Sequence, residues 1–225
     1  MKLDKLRDPL TIDQIDFRVQ SIGKKKIENV WGIYATILAY KDARVDMERL
    51  DNVVGTLNWT RRHTRENHNC IVSIFDSENN QWVSKEDTGT ESNTEAEKGL
   101  ASDSFKRACF NWGIGRELYD FPLIQIELAE HEVWQPEGAK QFRLDGAVNL
   151  REWNWYAEHD KKGKLSFLAC QDTHEITRWS WGEMAETKKK RLKVEAKAKK
   201  RSKEEALHSK AWVEVKKAKK KEEAA

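Results

Sequence analysis

Several features that define common protein classes are absent or scarce in this chain of 225 residues. The three cysteines, Cys70, Cys109 and Cys170, are odd in number and far apart, which argues against a disulfide framework. No apolar run approaches the roughly 20 residues that a membrane helix needs. The first sixteen residues lack the apolar stretch of a secretory signal. We therefore expect a soluble protein of a reducing cytoplasm, without a membrane partner.

The sequence also lacks the motifs of several enzyme classes. No Gly-x-x-x-x-Gly-Lys-Ser/Thr loop is present, which excludes the ATP-driven recombinases that need one. His63, His68 and Cys70 lack the paired short spacing of a zinc site. The acidic residues between positions 42 and 51 are spread along one predicted helix, as a solvated face is, rather than gathered as in a two-metal nuclease. We expect no metal and no cofactor.

The chain as a whole lacks a large excess of either charge sign, because its net charge is only +3. The two parts of the chain differ sharply, however. Residues 187–225 carry 16 Lys and Arg against 6 Glu, a net charge of +10, which leaves −7 for residues 1–186. Because the larger part repels phosphate on average, any nucleic-acid site within it must be a local group of basic side chains.

Local patterns predict a mixed α+β chain. Two strands, Phe17–Ile22 and Val30–Tyr40, are predicted on either side of a basic turn at Gly23–Lys26. A helix should follow the N-cap residue Asp42 and end at Gly55. Three extended segments should then form an antiparallel meander; they are Leu57–Arg65, Cys70–Phe75 and Gln81–Lys85.

The second predicted helix is the most strongly marked element. Thr94 and Glu97 have the spacing of a capping box, and Gly113 stands where the helix should end. Apolar residues between them fall on one broad face. Lys106 lies well away from that face, and Arg107 is about 100° further round the helix. Both basic side chains are therefore available to contact something outside the helix.

Five short motifs stand between Phe17 and Pro122 in a recognisable order. They are Ala39–Val45, Val54–Trp59, Lys85–Gly89, Glu95–Ala108 and Trp112–Asp120. Each motif alone is weak, but together they resemble the Rad fifty-two and Rad twenty-two family of single-strand annealing proteins, and most closely its phage-encoded, Sak-like branch.

The resemblance implies a fold and a division of the chain. The fold class is α+β, with a twisted antiparallel β-sheet packed on a long α-helix. The expected divisions are a leader (1–16), an annealing core (17–122), a β-rich extension (123–186) and a basic, partly helical or disordered tail (187–225). The extension contains several tryptophans and a predicted hairpin turn at Asp160–Gly163.

The resemblance also implies a function and a site. Family members are not enzymes; they assemble as rings or helical filaments, bind single-stranded DNA without ATP and anneal complementary strands in recombination and break repair. Matching positions make Arg44 and Lys106 the main phosphate contacts, with Arg107 beside them and Lys98 and Lys41 completing the set. A single-strand-binding protein of the host or phage is a further candidate partner, and the bacterial host cytoplasm is the expected location.

The sequence departs from the family at two places and leaves two other functions open. Phe110 stands where family members carry a further basic residue, and the segment 90–95 is short and acidic where some members have a second, outer DNA site. A metal-dependent recombination nuclease is one alternative function. A single-strand binder or adaptor that does not anneal is the other.

Overall fold

The computed structural model describes residues 3–27, 29–90, 96–139, 141–191 and 193. The described residues up to Gly182 form one compact unit, and those from Glu183 onward lie outside it. In that unit, the α-helices are α1 (Ala43–Val54) and α2 (Ala96–Trp112). Its strands are β1 (Asp16–Ile27), β2 (Val30–Tyr40), β3 (Trp59–Thr64), β4 (Asn69–Asp76), β5 (Gln81–Thr88), β6 (Ile124–Leu128), β7 (Val133–Trp134), β8 (Arg143–Leu144), β9 (Asn154–His159), β10 (Leu165–Gln171) and β11 (Thr177–Gly182).

The described residues form an α+β fold whose sheets are antiparallel. Three sheets have three strands each, in the orders β1-β2-β6, β3-β4-β5 and β9-β10-β11, while β7 and β8 form a short pair. The strands thus belong to several small sheets. Short 3₁₀ helices precede β1 at Leu3–Arg7 and Ile12–Gln14, and others lie between later elements at Arg116–Asp120, Glu130–Glu132 and Leu150–Glu152. No helix among the described residues is long and apolar enough to cross a membrane.

The first hairpin is longer than the sequence pattern predicts. The basic turn expected at Gly23–Lys26 is wrong, because these residues continue β1 and pair with β2 as far as Ile27 opposite Val30. Cross-strand neighbours explain the difference: Gly23 lies opposite Tyr34, and Lys24 lies opposite Ile33. Such pairs stabilise a strand that its own residues do not favour.

Helix α1 begins and ends where its capping residues predict. The Asp42 carboxylate accepts a hydrogen bond from the Arg44 amide at 2.8 Å, which satisfies one of the amides left free at a helix start. Gly55 follows the last helical residue with a φ of 91°. Leu50 and Val54 are buried, so the predicted apolar face is the one that packs.

The predicted meander and second helix are confirmed, and they pack together. Strands β3, β4 and β5 pair in sequence order, and the Asp76 carboxylate accepts amide hydrogen bonds from the turn that joins β4 to β5. Helix α2 packs on β4 and β5 and buries Phe105 and Cys109 against Val72 and Ile74. Thr94 of the predicted capping box lies outside the described residues.

The main hydrophobic core crosses both boundaries that the sequence places at residues 16 and 122. Leu10 precedes β1 and Leu168 lies in β10, yet both belong to one buried cluster with residues of β1, β2 and β6. Phe17 of β1 and Trp155 of β9 stack at a centroid separation of 3.6 Å and an interplanar angle of 3°. The predicted hairpin at Asp160–Gly163 is present, since Asp160 and Lys164 are joined by a backbone hydrogen bond.

We predict that Phe17→Ala destabilises residues 1–182 as a whole by about 3–5 kcal/mol, because it removes a buried ring from a core shared by two sheets. Urea unfolding followed by tryptophan fluorescence and by circular dichroism should give one shared, shifted transition. The matched control is Leu57→Ala, at an 89% exposed side chain, which should change the free energy of unfolding by less than about 0.5 kcal/mol. Separate transitions for the two probes would contradict a shared core.

Candidate nucleic-acid interface

A cleft of about 280 Å³ lies between one face of the β1–β2 hairpin and α2. Arg18 of β1 and Leu38 and Tyr40 of β2 form one wall. The opposite wall consists of side chains from two turns of α2, and the 3₁₀ helix Arg116–Asp120 contributes Tyr119 at the end. Arg18 and Leu38 are register partners, so the sheet itself places the arginine in this wall.

Three basic side chains line the cleft. Arg18 is exposed and its guanidinium lies 5.2 Å from the centre of the Tyr40 ring. Lys106 is half-buried, and its charge is close enough to Asp46 to oppose part of the rise in the pKa of that carboxyl. Arg107 is 40% exposed and lies 3.5 Å from the Asp87 carboxylate. At that exposure such a pair contributes little to stability, and because its Nε is buried the exposed part of the side chain consists of its other atoms.

One acidic residue also lines the cleft. The Asp103 carboxylate accepts hydrogen bonds from the Thr90 amide at 2.9 Å and from the Thr90 hydroxyl at 3.3 Å. These bonds stabilise its charge locally and hold it towards the loop after β5. The walls of the cleft are therefore cationic on balance, although residues 1–186 as a whole carry a charge of −7.

Aromatic rings lie beside these cations. Phe110 and Tyr119 meet edge to face, with centroids 5.0 Å apart and planes at 64°. Tyr119 is 63% exposed, so one face of its ring is open to a ligand. Tyr40 lies beneath Arg18 on the other wall. Cations next to exposed ring faces are the groups that sequence-independent single-strand binders use.

Beneath the cleft, Lys41 and Asp46 form a buried ion pair. The Lys41 ammonium lies 4.5 Å from the centre of the Phe110 ring, and its side chain is only 1% exposed. A Cβ at Gly115 would lie 2.5 Å from Lys41 Cε, and the φ of 69° at this position also favours glycine. Lys41 was expected to contact DNA; here its charge is paired and it supports the cleft from below.

Burial raises the pKa of Asp46 from 3.8 to about 6, and the ammonium of Lys41 opposes part of that shift. Charged groups from two elements face this carboxylate: Lys41 from the end of β2 and Lys106 from α2. Cys109 of α2 lies close to it as well, and burial raises the pKa of that thiol well above its ordinary range. The pair therefore lies in a region from which water is largely excluded.

The remaining predicted contacts lie elsewhere. The Arg44 side chain is 92% exposed at the start of α1, with its Nε 3.7 Å from the Asp42 carboxylate, and it does not line the cleft. Lys98 belongs to α2, but its side chain lies outside the described residues. The structure thus brings Lys106 and Arg107 together and adds Arg18, which the sequence analysis missed because nothing local links a strand residue to a helix 88 positions later.

The side chains considered as metal ligands do not come together in the described part of the chain. Among the described residues, no group of three or more His, Cys, Asp or Glu side chains is placed to hold a metal ion. His63 and Cys70 are neighbours on β3 and β4, and burial raises the pKa of the Cys70 thiol to about 11. On α1, Asp46 pairs with Lys41, whereas Asp51 accepts a hydrogen bond from the Trp59 indole at 2.7 Å.

Comparison with known proteins adds no assignment to this geometry. No protein-family model matches the chain, and no curated protein or solved structure is detectably similar to it. The interpretation of the cleft therefore depends on its own side chains and on the order of the sequence motifs.

We predict that Asp46 makes stability depend on pH. Its folded-state pKa of about 6 lies above its ordinary value, so its contribution is fully present below about pH 3.8 and is lost as pH rises through 6. The free energy of unfolding of the wild type relative to Asp46→Asn should therefore fall between pH 4 and pH 7, by on the order of 2–3 kcal/mol.

Urea unfolding at several pH values measures this difference. The matched control is Glu48→Gln, which removes one acidic side chain from the exposed side of the same helix. A difference between wild type and Asp46→Asn that stays constant from pH 4 to pH 7 would contradict the assignment.

Proposed function

We propose that this protein binds single-stranded DNA through the cationic cleft and promotes the annealing of complementary strands without ATP. The observation that carries the proposal is the convergence of Arg18, Lys106 and Arg107 with the exposed ring of Tyr119 in one cleft. Basic side chains hold the sugar-phosphate chain, and an open aromatic face accepts any base because every base has a π-face.

The elements that carry these side chains suit annealing. A protein that pairs strands must hold phosphates while it leaves base edges free to test a complement. Arg18 lies on a paired strand, and Lys106 and Arg107 lie on a helix packed against a sheet, so their positions are fixed before DNA binds. The sequence contains no phosphate-binding loop, so binding energy alone would drive the process.

The motif order supports a Rad fifty-two-like annealing fold as the finer description. In this description α2 on the β3-β4-β5 sheet corresponds to the long helix and twisted sheet of the family. Arg44 remains a phosphate contact at the outer end of the DNA path, and its exposure is compatible with that role. Lys41 takes a supporting role instead of a DNA contact.

Assembly into a homo-oligomer is part of the proposal. Strands β3 and β5 lie at the two edges of their sheet, and unpaired edge groups are templates for pairing with another chain. A ring or helical filament would align successive clefts and extend the path for DNA. Recombination or repair of phage DNA in a bacterial cytoplasm, alongside a single-strand-binding protein, is the setting that the motif resemblance suggests.

We predict that Arg18→Ala, Lys106→Ala and Arg44→Ala each weaken binding of single-stranded DNA and slow annealing, with the oligomer unchanged. Each lost phosphate contact should reduce the slope of log affinity against log salt by about 0.7. The measurements are fluorescence anisotropy with a labelled oligonucleotide and a fluorescence annealing assay with two complementary strands, both without ATP. Light scattering monitors the assembly.

The matched control is Lys161→Ala, in the exposed turn between β9 and β10, which should behave as the wild type. Wild-type annealing by all three cleft variants would remove the site assignment. Coating of DNA without faster annealing would instead indicate a non-annealing adaptor. Degradation of the strands with magnesium or manganese, abolished by a chelator, would indicate a nuclease.

A further inference from the structure

The tip of the first hairpin extends beyond the rest of its sheet. Strands β1 and β2 pair from Asp16 opposite Tyr40 to Ile27 opposite Val30, whereas β6 pairs with β2 only from Ile33 to Ile37. The residues nearest the turn therefore lack a third strand beside them. They include Lys25 and Lys26 of the lysine run that the sequence pattern assigned to a turn, whereas Lys24 lies opposite Ile33, the first residue of β2 that pairs with β6.

A tryptophan and two lysines share one face of this tip. Trp31 is 69% exposed and lies opposite Lys26 in the strand register. Lys24 is two residues from Lys26 and therefore points to the same face. Both lysines are exposed. Lys25 points to the other face, where its ammonium donates to the Thr36 hydroxyl at 2.7 Å.

A groove of about 470 Å³ adjoins this face. Lys24 and Trp31 line it on the hairpin side, and Glu130 lines it on the side of the loop after β6. Glu127 also borders the groove, but its carboxylate lies beside Gly32, on the opposite face of the hairpin from Trp31. The groove therefore has a cationic, aromatic wall and an acidic wall. A phosphate would be attracted to the first wall and repelled by the second.

We propose that this tip is a second contact for single-stranded DNA, an inference that rests on the function proposed above. Lys24 and Lys26 bind phosphates, and a base stacks on the open face of Trp31. The Glu130 carboxylate then faces the base edge, where it accepts hydrogen bonds from exocyclic amino groups such as N4 of cytosine. The tip accordingly favours cytosine over thymine, which has no exocyclic amino group.

The tip and the cleft hold different segments of DNA. Leu38 lines the cleft and Trp31 lies seven residues earlier on β2, so their side chains point to opposite faces of the hairpin. The two positions are also about 23 Å apart along the strand, at roughly 3.3 Å per residue. One side of the hairpin can therefore hold a segment in the cleft while the other side holds a second segment.

The test compares Trp31→Ala, Trp31→Phe and the double variant Lys24→Ala/Lys26→Ala in the full chain, by anisotropy with oligo(dC) and oligo(dT). Trp31→Ala should weaken oligo(dC) binding by about 5- to 100-fold, while Trp31→Phe keeps most of the affinity. The double lysine variant should reduce the salt slope by about 1.4. Glu130→Gln should reduce the preference for oligo(dC).

The matched control for the lysines is Lys161→Ala/Lys162→Ala, which removes the same charge from another exposed turn and should leave the salt slope unchanged. Thermal unfolding shows whether each variant is folded. If Trp31→Ala fails to fold, the salt slope of Lys24→Ala/Lys26→Ala tests the second contact instead. Wild-type affinity and salt slope in the tip variants would overturn the inference, as would a loss of oligomer mass in Trp31→Ala with DNA affinity intact.

Cleft variants separate this inference from the proposed function. If Lys106→Ala loses affinity and the tip variants do not, the second contact is wrong and the cleft assignment remains. If the wild type itself does not bind oligonucleotides, both proposals are overturned.

Discussion

The buried ion pair between Lys41 and Asp46 is the interaction on which the arrangement of the cleft depends. It joins the end of β2 to α1, and through the Phe110 ring and the backbone at Gly115 it also reaches α2 and the turn after it. Burial opposes the ionised form of Asp46 even with Lys41 beside it, so the pair fixes the positions of the two side chains rather than adding to the free energy of unfolding near neutral pH. The pair therefore holds the walls of the cleft in place without facing the ligand.

The charge distribution limits where the proposed DNA contacts can lie within residues 1–186, which carry a net charge of −7. Most of its surface repels phosphate, and charges further apart than about 8–10 Å are largely screened at physiological salt. The proposed binding would then depend on places where cations converge, of which the described part of residues 1–186 offers the cleft and the tip of the hairpin. A strand confined to such places is held along a defined path, and the repulsive surface around it discourages other contacts.

The sequence predicted an element correctly where residues close together in the chain determine that element. Asp42 and Gly55 fixed α1, and the turn after Asp76 fixed the meander, because capping and turn formation involve residues close in sequence. The lysine run of β1 was wrongly assigned to a turn because the residues that stabilise it as a strand belong to β2, its neighbour in the sheet. The burial of Lys41 and the approach of Arg18 to α2 depend on tertiary packing that no local pattern encodes.

The central claim is that DNA occupies the cleft, and photo-cross-linking tests it most directly. A single-stranded oligonucleotide containing a halogenated pyrimidine would be irradiated with the full chain, and the modified peptides identified by mass spectrometry. The account predicts adducts at cleft residues, at Tyr119 above all because its ring is the most exposed. Adducts confined to residues 183–225, with none between Arg18 and Tyr119, would show that the basic tail binds DNA and would contradict the account.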